Sequence, residues 1–142
     1  MLKTLFGLFL IAHGLIHVSL TTVPGPQASG PNTPFWPGWW RSDSHPGWLV
    51  TSLHLDNALV RGFGSLLIVL ATIGFVAAGL GVLGVPFLQG WWGYLALVSA
   101  ALALPVFVLF WHPWLVLGVL LNMALAALLL LPNAFVQGLD AS

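Results

Sequence analysis

The chain has 142 residues, of which 59% are hydrophobic and only 4% charged, with three Lys+Arg balanced by three Asp+Glu. A soluble domain spends about a quarter of its residues on charge, so this chain cannot cover a water-facing surface and most of its solvent must be lipid. A balanced charge without a basic patch argues against nucleic acid as a partner, and the lack of cysteine excludes disulfides, thiolate catalysis and cysteine-held metal or iron–sulfur centres.

Four membrane spans read out in chain order, each near the roughly 20 residues a bilayer requires. The first covers residues 3–22. Lys3 gives it a minimal basic start, but its apolar run exceeds the h-region of a cleaved signal, about 7–15 residues, and it carries His13 and His17. It is therefore read as a retained helix, stopped by Val23-Pro24-Gly25-Pro26.

Residues 23–56 form one long loop with Pro24, Pro26, Pro31, Pro34, Pro37 and Pro46 among Trp36, Trp39, Trp40 and Trp48. Tryptophan favours the headgroup level, so this loop is expected to lie on the membrane surface as a cap. The second span, residues 57–83, is rich in small residues, and Gly74 and Ala78 form a small-xxx-small pair suited to close helix packing. The third, residues 91–110, should be kinked at Pro105 and is bracketed by Trp91, Trp92 and Trp111. After a tight His112-Pro113 turn the fourth span runs over residues 114–131, followed by a short tail, 132–142. The expected fold is all-α: an integral membrane four-helix bundle in a single domain, with the long Trp/Pro-rich loop between its first two helices.

Four spans place both termini on one side and gather His17, His45, His54, His112, Arg41, Asp43, Asp56 and Arg61 at or near the opposite, loop side. Counting inward at about 1.5 Å per residue puts His17 and Arg61 roughly 6 Å deep and His13 and Asn122 roughly 12 Å deep. The carbonyl of Ala101, which Pro105 leaves without its usual donor, falls at roughly 15 Å. On the first helix Gly7, Leu10, His13, Gly14 and His17 share about a third of the circumference, which should face inward.

Two histidines four apart on one helix admit three chemistries. They can ligate one metal ion, completed by His54 or His112. One of them can bind haem opposite a ligand on a facing helix. They can also handle protons beside a quinone, with Asn122 and Arg61 as further ligand-binding groups. Against these stands a structural reading, in which neutral imidazoles hydrogen-bond to Asn122, Asp56 or a free carbonyl. Asp56 is well placed to cap the second helix, and Arg61 to snorkel to the interface.

The segment GLFLIAHGLIH resembles the first helix of the DoxX-like family of small four-helix membrane proteins. Gly7, His13 and Gly14 match, His17 stands where the family often has lysine, and the small-residue helix around Gly62 to Gly81 is similar. Arg61 replaces the glutamate common in the family's second helix, and the Trp/Pro loop departs from it. The resemblance implies a prokaryotic inner-membrane protein, in some cases a subunit of a quinone-linked oxidoreductase. The expected function is therefore a small subunit or accessory of a quinone-linked redox system, not an enzyme on its own, with the loop-side histidine cluster as its site. A structural or assembly protein without ligand and a small-solute carrier are the alternatives. The carrier ranks last, because residues 68–76 and 125–131 offer almost no polar path. Expected partners are the lipid bilayer and other membrane subunits or further copies of the chain. Lys3 favours cytoplasmic termini, although Arg41 and Arg61 favour the reverse.

Overall fold

The computed structural model describes residues 1–22, 48–111, 115–131, 136, 138 and 139. The described residues are helical: α1 Leu2–Thr22, α2 Trp48–Leu53, α3 Asn57–Val82, α4 Trp92–Leu109 and α5 Val116–Leu130. By length and composition α1, α3 and α4 are each able to cross a membrane, whereas α5 spans 15 residues, about 22 Å at 1.5 Å per residue. All four long helices fall within two residues of their expected limits. The fourth is the shorter one, and its flanks at 112–114 and 132–135 lie outside the described residues.

The stretch expected to be loop throughout contains a helix. Trp48 to Leu53 makes six residues of α2, and the Trp48 indole Nε1 donates to the Val108 carbonyl of α4 at 2.8 Å. Leu49 is buried in a cluster with Val60, Ile68, Val106 and Phe110. His54 then takes a left-handed conformation, φ 55°, which histidine tolerates better than most residues. Residues 23–47 of the Trp/Pro loop, and 132–135, 137 and 140–142 of the tail, lie outside the described residues.

Asp56 caps α3 as its position implies: its side chain accepts from the Leu59 amide at 2.9 Å. Replacing it with alanine is expected to cost about 0.5–2 kcal/mol of unfolding free energy in detergent, with asparagine restoring most of the loss. At the other end Gly84 adopts φ +91° while the Val85 amide returns to the Leu80 carbonyl at 3.0 Å, so the helix ends where Gly-Val-Pro requires.

α3 is the central element, packed on α1 along one side and on α4 along another, with α5 packed on α4. The α1–α3 contact depends on glycine. A Cβ on Gly79 would lie 2.6 Å from the Gly7 carbonyl oxygen, and one on Gly14 would lie 2.9 Å from Phe75 Cβ and 3.0 Å from the Thr72 carbonyl oxygen. Gly74, half of the expected small-residue pair, packs instead against Ser99 of α4. α4 continues through Pro105. Ala101 and Pro105 are both exposed, so this side of α4 lies on the outer surface and not among the buried polar residues.

Large apolar residues cover the outside of the bundle as well as filling its core. Leu5, Leu15, Ile16, Leu59, Phe63, Leu66, Ile73, Val98, Leu117 and Leu120 point outward, while His13, His17, Thr72, Ser99 and Asn122 are buried. This pattern is compatible with helices that cross a membrane, where hydrocarbon offers a polar group no partner.

Candidate functional site

The buried residues of α1, among those whose side chains are described, are Gly7, Leu10, His13, Gly14 and His17. They are the face that helical periodicity predicts. The two glycines let α3 approach closely enough to enclose the imidazoles between them.

Four of the five buried polar side chains, His17, Thr72, Ser99 and Asn122, bond to their own helix. The His17 Nδ1 lies 2.8 Å from the His13 carbonyl, Thr72 Oγ1 donates to Ile68 and Gly14 carbonyls at 2.9 and 3.0 Å, Ser99 Oγ to Leu95 at 2.6 Å, and Asn122 Nδ2 to Gly118 at 2.8 Å. Four of these bonds reach the carbonyl four residues back, the usual resource of a polar side chain in an apolar helix.

Three atoms remain. His13 Nε2, His17 Nε2 and Asn122 Oδ1 are buried without a hydrogen-bond partner. The residues carrying them are 5%, 3% and 0% exposed. A buried polar atom left unpaired costs about 1–3 kcal/mol, so three together are a large expense for a bundle of this size. They belong to one cluster. The two imidazole rings meet edge to face with centroids 4.6 Å apart, and the Asn122 side chain lies beside that of His13. His13 and Asn122 come from α1 and α5.

Aromatic rings wall the cluster. Phe75 of α3 lies 4.8 Å from His13 and 5.4 Å from His17 between centroids, Phe107 of α4 lies 5.7 Å from His17, and Phe9 stacks on His13 at 5.7 Å. The expected site missed these phenylalanines. Only the helix pairing brings them in, and a phenylalanine in an apolar span carries no sequence signal of its own.

The remaining expected ligands are not gathered here. His54 is exposed beyond α2, and among the described residues no three of His, Cys, Asp and Glu come close enough to hold a metal ion. His112 lies outside the described residues. Arg61 is half-buried in the second turn of α3 and makes no hydrogen bond or ring contact with either histidine or with Asn122. A separate cavity of about 690 Å³ opens at the opposite end of the bundle, lined by Lys3, Trp92, Tyr94, Leu129 and Leu139 among others.

Comparison with known proteins returns no match: no family profile fits the chain, and no curated protein or solved structure is similar to it.

Proposed function

We propose that the chain is a four-span bundle of a prokaryotic cytoplasmic membrane, with cytoplasmic termini, and that it serves a quinone-linked redox system as a small subunit or accessory. Its working part is the His13–His17–Asn122 cluster, where a bound headgroup exchanges hydrogen bonds and protons with imidazole. The observation that carries this reading is the set of three unpaired buried polar atoms inside a wall of aromatic rings. Imidazole nitrogens can donate and accept hydrogen bonds, and flat aromatic walls suit a flat ring. The resemblance of the first helix to DoxX-like proteins points the same way. A metal ion would find two imidazoles but no third ligand among the described residues, and haem would require a ligand on a facing helix.

One observation favours the second reading, a structural or assembly protein. His17 and Asn122 already hold bonds to their own helices. Solvent extraction, elemental analysis and an absorbance spectrum of the purified protein separate the two. A co-purifying ring ligand of the quinone–quinol class is the expected result. Protein free of quinone, haem and metal, and unaffected by added quinone or quinol, would leave only the structural reading. Labelling a cysteine introduced at residue 142 tests the orientation: reaction with an impermeant reagent in intact cells would place the termini outside.

A further inference from the structure

The hydrogen-bond polarity of the cluster follows from its local bonds. A carbonyl oxygen only accepts. His17 Nδ1, 2.8 Å from the His13 carbonyl, must therefore carry the imidazole hydrogen, and in the neutral ring Nε2 is left as a bare lone pair. The same argument orients Asn122. The amide nitrogen must face the Gly118 carbonyl, so the unpaired atom is the oxygen, another acceptor. Two of the three unpaired atoms thus accept and cannot donate, whatever the state of His13. A ligand that presents only carbonyl oxygens meets lone pair against lone pair at His17 and Asn122. A hydroxyl supplies the missing hydrogen, and its oxygen can still receive one from His13 Nε2.

We infer that the cluster recognises a hydrogen-bond donor on a flat ring, an aromatic hydroxyl of the phenol or hydroquinone class, and that it discriminates against the corresponding carbonyl form. The inference rests on the reading of this cluster as a ligand site and fixes which redox form of the ligand the site holds. Phe75, Phe107 and Phe9 pack on the two imidazoles and give the cluster an apolar, aromatic surround. His17 Nε2 takes the donor bond.

Three probes of equal alkyl length test this on the purified full chain in detergent: a para-alkylphenol, its methyl ether, and the alkyl-benzoquinone. Binding is read by titration calorimetry. The phenol should bind at least about 10-fold tighter than either of the others, since sites with unpaired polar atoms reject analogues that cannot pair them. His17→Leu should remove that preference. Ether or quinone binding as tightly as the phenol overturns the polarity and leaves a ligand site of other character standing. Failure of all three overturns the site itself. Phenol binding that survives His17→Leu places the ligand elsewhere and overturns the inference. Should that variant fail to fold, the wild-type ranking of the three probes decides.

Discussion

Gly79→Ala is expected to destabilise the bundle by about 1–3 kcal/mol, whereas Gly62→Ala on the same helix is expected to stabilise it by about 0.4–1 kcal/mol. The two substitutions add the same methyl group and make the same gain in helix propensity. They differ in what the methyl meets. At Gly79 it would lie 2.6 Å from the Gly7 carbonyl oxygen and 3.1 Å from the Ile11 amide nitrogen, backbone atoms of α1 that cannot rotate away. At Gly62 nothing stands within 4 Å. Unfolding of both variants in mixed detergent, followed by circular dichroism, gives the comparison. Equal effects would mean that α1 and α3 do not pack along this glycine seam.

His17→Leu is expected to abolish binding of a phenolic ligand while leaving the melting temperature unchanged or raised. Leucine fills a similar volume, removes the unpaired Nε2, and gives up a single bond to the His13 carbonyl four residues back. Replacing a buried polar group by an apolar one of its shape is often neutral or favourable for this reason. Asn122→Leu is the partner experiment, since it removes Oδ1 and the bond to Gly118 together. A structural role predicts the contrary: each change lowers stability by about 1–2 kcal/mol, the range for polar bonds between membrane helices, and no ligand is lost because none was held. Melting and binding measured on the same samples distinguish the outcomes.

Much of this arrangement is legible in the residue order. Apolar length and Pro-Gly punctuation locate α1, α3, α4 and α5 closely, because a helix in hydrocarbon must satisfy its own backbone and stops where proline and glycine prevent that. The inward face of α1 follows from 3.6-residue periodicity, and the meeting of His13 with Asn122 from equal depth. Other features depend on tertiary placement. Six residues of α2 are too few to show a period, and the tie from Trp48 to Val108 joins positions 60 apart. Depth counting also overreaches, since it gives height without azimuth. Arg61 is only half-buried while His17 is buried, and Ala101 is exposed. The seam at Gly7, Gly14 and Gly79 is visible as small residues, but which glycine meets which helix is not, as Gly74 turning to Ser99 shows.

That seam has a kinetic consequence. Because α1 and α3 touch through backbone atoms at both Gly14 and Gly79, a slide of one along the other drives a side chain into a main chain at two places at once. The close packing at both glycines thus opposes sliding of α1, which carries the histidines, along α3, which carries Phe75. Asn122 arrives on α5, whose closest glycine contact, Gly118 with the Phe107 ring, is made to a side chain that can swing aside. The compliant wall of the cluster is α5. Substitutions along α1 should change how tightly the site holds its occupant, and substitutions at Gly118 and its neighbours how quickly the occupant enters and leaves.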